Sequence, residues 1–420
     1  MKIRNQLLAL TCLMVFIAFG FLYFHTWVVQ KPFGIILFVS DGLVESNLTA
    51  ARLYEGGADH RLNVERLGHL ALLTNYANDY AVPDSAAAAS AIATGVKVNN
   101  QHIAMDAQGK TLATIMDAAR ESGRSTGIIS NVNLTDPAVA AFYAHTTKSD
   151  DSENIAAQLI ENGKLNIVLG GGGGDFLPES KGGHRKDGRD LILEMKQKGI
   201  EIFRSKAELE NSAVFTTANR VGIFSDGDLP FGSQITSGSQ QPSLSDMVRR
   251  AIEFLQYNTH GYLLVVDTSL ITHAAGQNDA EHVITETLEF DRAVATAMKF
   301  AGPKTLLVAV GKHATGGMTL NGYPLRQDHG VALLGINTFG YPSITWSTGP
   351  NGRQASPAQQ PLSSATNTSS GSGTSPSAFY SPQAVNSAGD VLAVGSGAGA
   401  EALNGFLDNT VVYQILKNNL

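Results

Sequence analysis

The sequence is poor in cysteine, in clustered basic residues and in proline, and each shortage excludes a class of protein. Cys12 is the only cysteine among 420 residues, which excludes an intramolecular disulfide and a cysteine-based zinc site. Lys and Arg number 30 against 37 Asp and Glu, without a dense basic stretch, which argues against nucleic-acid binding. The 14 prolines beside 43 glycines, with 43% hydrophobic residues, are typical of a globular chain and exclude a collagen-like or disordered one.

The first 30 residues differ from the rest. Two basic residues near the N-terminus precede an uncharged apolar run from Leu7 to Phe24. This run is at the lower length limit for a membrane span and exceeds the core of about 7–15 residues in signal peptides. We interpret residues 1–30 as an uncleaved signal anchor that leaves residues 31–420 extracytoplasmic, in the periplasm or at the cell surface. Small residues inside the run leave a cleaved signal peptide as the alternative.

Short β-branched runs alternate with longer helical stretches from residue 34 to about 345. This pattern predicts an α/β fold in which helices cover a parallel or mostly parallel sheet. The predicted strands are Gly34–Ser40, Ile128–Ser130, Ile167–Leu169, Leu263–Val266 and Leu306–Val310. The predicted helices are Thr111–Ser122, Gly188–Lys198, Leu244–Asn258 and Ile284–Ala301.

Residues 351–389 interrupt this pattern. They consist mainly of Ser, Gly, Pro, Gln, Asn, Thr and Ala, a composition that predicts a flexible insertion. Strand and helix patterns return at Asp390–Val394 and Val411–Leu420. We therefore expect one domain over residues 31–420, interrupted by this insertion.

Polar residues follow three of the predicted strands directly. Asp41 follows the first, Asp267 the fourth, and Lys312 with His313 comes just beyond the fifth. Each alone is an ordinary loop residue or helix cap. Because ligands of such sheets gather at the carboxyl ends of the strands, the set together indicates a site.

The segment Val82–Gly95 (VPDSAAAASAIATG) is the most informative motif. It places Ser85 after a turn and at the start of a run of small residues with helical propensity. A hydroxyl at a helix N-terminus lies where backbone amides and the helix dipole favour an incoming anion. The alternative interpretation is structural, with Asp84 or Ser85 acting only as the helix cap.

Together with Gly34–Tyr54, this segment resembles the alkaline phosphatase family, whose nucleophile motif is Asp-Ser-Ala followed by small residues and Thr-Gly. Further blocks resemble the family in order, among them LTDPAVAAFYAH, FSDGDLP, QPSLSDM and TLLVAVGKHATGG. The resemblance implies an α/β/α sandwich around a central, mostly parallel sheet, and a homodimer. It also implies hydrolysis of phosphomonoesters through a phosphoseryl intermediate, with two zinc ions, one magnesium ion and an arginine that clamps the phosphate.

Part of that machinery is matched position by position. The resemblance makes Ser85 the nucleophile and Asp84 its neighbour. It makes Asp41 the carboxylate between the serine-side zinc and the magnesium, and His313 a serine-side zinc ligand. The magnesium-side carboxylates are Asp136 and Asp267.

Other family positions are substituted. Lys312 stands where the family has an aspartate ligand of the serine-side zinc, and Ser149, next to Lys148, stands where it has the clamping arginine. The water-side zinc ligands and a magnesium-side hydroxyl are replaced by Thr272, Gly276, Asn386 and Ala138. We expect Mg²⁺ to bind and Zn²⁺ to occupy one site at most.

Lys312 carries a hypothesis of its own. Its ammonium could supply the positive charge that zinc provides in the family, while the three aspartates remain as oxygen ligands for magnesium. The alternative is that Lys312 only fills space after selection on the site relaxed. His273 and His329 are further candidate ligands without a supporting motif.

Two functions stay open. The first is a membrane-anchored, extracytoplasmic phosphomonoesterase that uses Ser85. Its activity is expected to be weak or lost, because the ligands of the water-side zinc are replaced, and that ion would lower the pKa of the attacking water to about 7. The second is a pseudophosphatase that binds phosphate or a partner. The expected ligand is phosphate or a phosphomonoester, the expected partners are the membrane and a second copy of the chain, and no nucleic acid is expected.

Overall fold

The computed structural model describes residues 2–23, 33–41, 43–161, 165–215, 218–321, 334–335, 340–352 and 378–420. The helices are α1 (Lys2–Tyr23), α2 (Glu45–Gly56), α3 (Ser85–Thr94), α4 (Ile115–Glu121), α5 (Pro137–Ala140), α6 (Ser152–Glu161), α7 (Leu191–Gln197), α8 (Lys206–Asn211), α9 (Leu244–Leu255), α10 (Leu270–Gly276), α11 (Ala280–Phe300) and α12 (Val411–Asn418). The first eight strands are β1 (Gly34–Ser40), β2 (His69–Thr74), β3 (Ser125–Asn133), β4 (Ile167–Gly171), β5 (Glu201–Phe203), β6 (Arg220–Ile223), β7 (Tyr262–Asp267) and β8 (Thr305–Gly311). The others are β9 (Ala314–Thr315), β10 (Thr319–Leu320), β11 (Ile344–Thr345), β12 (Thr348–Gly349), β13 (Phe379–Tyr380), β14 (Asn386–Ser387), β15 (Val391–Ser396) and β16 (Asn404–Asp408).

Ten strands form one sheet in the order β16-β2-β15-β8-β1-β7-β3-β4-β6-β5. β15 is antiparallel to both of its neighbours, whereas every other neighbouring pair is parallel. The centre of the sheet is the parallel run β8-β1-β7-β3. The prediction of a mostly parallel sheet is confirmed.

Strand β1 shows why helices cover both faces. All seven of its residues are buried, which matches the uninterrupted apolar run of a strand inside an α/β fold. Ile35 and Leu37 belong to one core cluster, with residues of α3, α4, α6 and α12. Ile36 and Phe38 point to the other face and join residues of α2, α9 and α11. The α/β/α sandwich predicted from the family resemblance is confirmed.

Helix α3 ends where its neighbour α12 leaves no room for a side chain. Gly95 follows its last residue with φ of 74°, in the left-handed region that favours glycine. A Cβ atom built there would lie 2.7 Å from the ring of Tyr413, which belongs to α12. Glycine at this position therefore serves both the backbone turn and the close approach of the two helices.

Helix α1 is long and apolar enough to cross a membrane over Ile3–Leu22, with a mean hydropathy of 2.0 and no part buried. It agrees with the apolar run predicted from the sequence as a signal anchor or signal peptide. Most of the predicted insertion, residues 353–377, lies outside the described residues. Its C-terminal part contributes β13 and β14, and β14 pairs antiparallel with β9.

Candidate active site

The carboxyl ends of three adjacent central strands converge on one buried cluster. Asp41 follows β1, Asp267 ends β7, and Lys312 follows β8. Their exposed fractions are 3%, 0% and 0%. Because parallel strands end at the same edge of the sheet, residues distant in sequence come together here.

The Lys312 ammonium makes three contacts with oxygen atoms. Its Nζ lies 3.2 Å from Asp41 Oδ2, 3.2 Å from Asp267 Oδ1 and 2.6 Å from Ser269 Oγ. A lysine ammonium has three hydrogens to donate, so all three are used. Burial lowers the pKa of Lys312, but attraction to Asp267, Asp41 and Asp136 outweighs burial and raises the pKa above its ordinary value. The ammonium is therefore charged.

Both carboxylates of this cluster are held by further donors. Asp267 Oδ2 accepts from Ser130 Oγ at 3.0 Å and from the Ser269 amide at 3.2 Å, and Oδ1 accepts from Ser269 Oγ at 2.9 Å. Asp41 Oδ2 accepts from the Thr272 hydroxyl. Burial raises the pKa of Asp41, but the interactions of its carboxylate, led by the charge of Lys312, outweigh burial and bring the pKa below its usual value. Asp41 is therefore ionised.

Ser85 is the first residue of α3, and Asp84 caps that helix. Asp84 Oδ1 accepts from the Ala87 amide at 2.8 Å, and Oδ2 accepts from the Gln101 amide at 2.6 Å. Two side-chain oxygens of one residue thus fix both the helix and the loop beside it. Ser85 itself is half-buried, with its hydroxyl at the positive end of a ten-residue helix.

His313 links Ser85 to the C-terminal part of the chain. Its Nε2 lies 3.0 Å from Ser85 Oγ, and its Nδ1 lies 3.3 Å from Thr315 Oγ1. Thr315 donates its hydroxyl proton to Asn386 Oδ1 at 2.9 Å, so it accepts from Nδ1–H of His313. Burial lowers the pKa of His313, in spite of nearby Asp41. The ring is then neutral, with Nε2 free to accept the Ser85 proton.

A second group of residues, at the rim of the buried cluster, lines a cavity of about 620 Å³. The group includes Thr272, His273, Gly276, Thr315 and Asn386.

His273 joins two aspartates at this rim. Its Nδ1 lies 2.8 Å from Asp228 Oδ2, and its Nε2 lies 3.9 Å from Asp136 Oδ2. The hydrogen bond with Asp228 raises the pKa of His273, and burial raises the pKa of Asp136 to about 6.

A family model described as alkaline phosphatase matches residues 34–420. The chain belongs to the alkaline phosphatase family.

Relatives within the alkaline phosphatase family are distant. Alkaline phosphatase 4 of Bacillus subtilis is 33% identical over 263 residues, which cover 61% of this chain and 54% of that enzyme. The tissue-nonspecific isozyme of Gallus gallus is 29% identical over 370 residues, covering 75% of this chain and 70% of that one. The chain therefore spans about half the length of the first relative.

Solved alkaline phosphatases show the same fold. The enzyme of the Antarctic bacterium TAB5 has a TM-score of 0.73 at 21% identity, covering 93% of this chain and 98% of its own. The Thermus thermophilus enzyme has a TM-score of 0.73 at 24% identity, covering 93% and 92%. A TAB5 variant is described with magnesium in its M3 site.

The structure brings together most alkaline phosphatase positions that the sequence predicted. Asp41, Ser85, Asp267, Lys312 and His313 form one connected group, described above. Asp136 lies beside it at the rim, where its Oδ1 accepts from the Ala138 amide at 2.9 Å, and Ala138 itself is buried. The roles that the family resemblance assigns to these residues stay predictions.

The substituted positions have other partners. Thr272 donates to Asp41, and Asn386 Nδ2 donates to the Pro83 carbonyl at 3.2 Å. Gly276 faces open space on its side-chain side. Among the described residues, no hydrogen bond joins the side chain of Ser149 or Lys148 to Ser85. His329 lies outside the described residues.

Three residues of the site were not predicted. Ser269 binds Lys312, Thr315 binds His313, and Asp228 binds His273. Ser269 lies two residues after Asp267, and Thr315 lies two residues after His313. Both could therefore be predicted by including the two residues that follow each polar residue at a strand end. Asp228 lies in the loop after β6, within the block FSDGDLP, and the family resemblance of that block assigned no role to it.

Proposed function

We propose that the chain is a phosphomonoesterase in which Ser85 Oγ attacks the phosphorus atom. The observation that carries this proposal is the 3.0 Å distance between Ser85 Oγ and His313 Nε2, at the N-terminus of α3. A nucleophile within hydrogen-bond reach of a base, itself oriented by a third group, is the usual arrangement for covalent catalysis. Membership of the alkaline phosphatase family supports phosphomonoesters as the substrate class.

Two displacements complete the proposed reaction. In the first, the Ser85 Oγ–P bond forms, the ester O–P bond breaks, and the Ser85 proton passes to His313 Nε2 and then to the leaving alcohol. In the second, water attacks phosphoserine, its proton passes to His313 Nε2, and Ser85 Oγ leaves and regains that proton. The positive end of α3 stabilises the phosphoryl oxygens in both steps.

Alkaline phosphatases normally bind zinc and magnesium, and the residues of this chain fit neither well. Sequence reasoning expects magnesium at Asp41, Asp136 and Asp267, but the first and last of these bind Lys312. Among the described residues, no group of three or more His, Cys, Asp or Glu is arranged to hold a metal ion. No step of the proposed reaction is therefore routed through a metal.

The competing proposal is a pseudophosphatase that binds phosphate without turnover. It is favoured by Ser149, which stands where the family resemblance implies the clamping arginine, and by the Thr272 hydroxyl, which donates to Asp41. Removing a single oxyanion donor slows other enzymes by about 10²–10³-fold. We therefore expect Ser85-dependent turnover to be slow compared with a family member that has all its ligands.

We further propose that α1 anchors the chain in a membrane, with the remainder extracytoplasmic and dimeric. Its support is the apolar stretch Ile3–Leu22, of which no part is buried against the rest of the protein. Fractionation of cells expressing the chain with and without residues 1–30, and light scattering of the detergent-solubilised protein, test the anchor and the dimer.

The activity is tested by hydrolysis of p-nitrophenyl phosphate with the full chain in detergent. Ser85→Ala should abolish turnover and the phosphoryl group that mass spectrometry finds after acid quenching. Ser245→Ala is the matched control and should leave turnover unchanged, because the buried Ser245 hydroxyl has no hydrogen-bond partner in the described part of the chain. Equal rates for wild type and Ser85→Ala would reject hydrolysis, and phosphate binding by calorimetry would then support the pseudophosphatase.

A further inference from the structure

We infer that the Lys312 ammonium takes the place of a divalent metal ion between Asp41 and Asp267, so that this chain is complete there without a metal. The inference deepens the proposed function, and it rests on that function for its meaning in catalysis. Its own evidence is the arrangement of charges and donors inside the cluster.

The Lys312 ammonium is bound in the way that a metal ion is bound in a closed site. Its three contacts go to oxygen atoms, two of them charged, at 2.6 to 3.2 Å. Lys312 is 0% exposed and ranks among the largest fully buried side chains of the described residues. A buried charge is retained where it is paired and hydrogen-bonded, and here every N–H of the ammonium has an acceptor.

While the Lys312 ammonium is in place, the same oxygen atoms are not free to ligate a metal ion. Mg²⁺ requires oxygen donors at about 2.0–2.1 Å in near-octahedral geometry. Both Asp267 oxygens already accept from Ser130 and Ser269, and Asp41 Oδ2 accepts from Thr272. A dication bound at these oxygens would also lie against the fixed positive charge of Lys312.

Too few donors remain for a zinc ion on the serine side. Asp41 Oδ1 is buried, has no hydrogen-bond partner among the residues that the structure describes, and lies 3.8 Å from His313 Nε2. These are two protein donors, where a catalytic zinc site uses three. The third donor is missing because Lys312 occupies a position at which the family resemblance implies an aspartate.

Lys312 is consequently a positioning residue. Its three hydrogens are used within the cluster, so it makes no contact with substrate. It fixes Asp41, and Asp41 lies beside the histidine that contacts Ser85. The expected consequence is an enzyme whose stability and Ser85-dependent turnover are insensitive to chelators.

The test compares the full wild-type chain with Lys312→Asp and Lys312→Met, each first freed of metal and then given Zn²⁺ or Mg²⁺. The readouts are metal content by mass spectrometry and the thermal midpoint. Wild type should hold no stoichiometric metal, and its midpoint should not move. Lys312→Asp should gain about one Zn²⁺ per chain, because one carboxylate replaces the ammonium and a third donor is restored.

Lys312→Met leaves two buried carboxylates without a cation, so its midpoint should fall and then rise by at least about 2 °C with added metal. Lys97→Met is the matched control. Lys97 is a partly buried lysine paired with Asp408 and Asn409 on another part of the chain, and metal should not rescue its loss.

Stoichiometric, chelator-sensitive metal in the wild-type chain would overturn the inference. This outcome decides the question even if both Lys312 variants fail to fold. Failure of the proposed function has a different signature: a metal-free wild-type chain without Ser85-dependent turnover rejects hydrolysis and leaves the role of Lys312 intact.

Discussion

Glu286 on α11 is expected to make the chain less stable as the pH rises toward 7. Its side chain is buried, with an exposed fraction of 2%, and it accepts from the Gly232 amide and from Asn131 Nδ2. Burial raises the pKa of Glu286 from 4.5 to about 7, with a further contribution from Glu289, while His282 and the hydrogen bonds act in the opposite direction.

The sign of the effect follows from proton binding. Between pH 4.5 and about 7 the folded chain keeps a proton on Glu286 that the unfolded chain releases. The stability from this group is therefore fully present below pH 4.5 and lost as the pH rises through 7. One pKa unit corresponds to 1.36 kcal/mol, so the whole loss amounts to about 3 kcal/mol.

Glu286→Gln removes the titration, because an amide is neutral at every pH. The free energy of unfolding in urea, measured from pH 4.5 to 8, should rise relative to wild type by about 3 kcal/mol across that interval. Glu281→Gln on the same helix, where the carboxylate is exposed, is the control and should give a flat difference. A difference for Glu286→Gln that changes by less than about 1 kcal/mol would refute the reasoning.

Three other substitutions give sharp expectations. Ser269→Ala leaves one N–H of the Lys312 ammonium without an acceptor, so the free energy of unfolding in urea should fall by about 1–3 kcal/mol. An unchanged free energy of unfolding would contradict this hydrogen bond. Asp84→Ala removes the cap of α3, which should lower the free energy of unfolding by about 1 kcal/mol in the same assay. It should also slow p-nitrophenyl phosphate hydrolysis, and an unchanged rate would show that the cap does not position Ser85. Gly95→Ala places a Cβ 2.7 Å from a tyrosine ring at a positive φ, so calorimetry should show a loss of about 1–3 kcal/mol, while Gly68→Ala, which faces open space, should change by less than about 0.5 kcal/mol.

The central strands can be predicted from the sequence because both of their faces are buried. β1 was predicted with its observed bounds, Gly34–Ser40, since a continuous apolar run has one interpretation between turn residues. β3 was predicted too short, as Ile128–Ser130, because its flanking polar residues look like loop. In the structure Thr126 and Asn131 are buried, and strand pairing and hydrogen bonds to Glu286 and Leu270 hold them there.

The strands toward the β16 edge of the sheet could not be predicted in this way. β2 and β16 each contain exposed apolar residues, and Phe406 of β16 is 78% exposed. Their pairing depends on strands hundreds of residues away, and no local period reports it.

The candidate site could likewise be predicted only in part. Strand ends bring Asp41, Asp267, Lys312 and His313 to one place, and this follows from the parallel order alone. The choice of partners does not follow from it. Lys312 could bind carboxylates or turn toward Ser85. Which of the two it does depends on how far its side chain reaches and on which acceptors surround its ammonium, and only the three-dimensional structure shows this.

The separation in sequence of Ser85 from its proposed base, His313, has a consequence for biosynthesis. Ser85 Oγ meets His313 Nε2 across 228 residues, and Asn386, which holds Thr315 in place, comes later still. A ribosome must complete nearly the whole chain before these side chains can meet. In the proposed reaction, the serine at the start of α3 is therefore an unreactive hydroxyl during synthesis and becomes a nucleophile only after the C-terminal segment has folded.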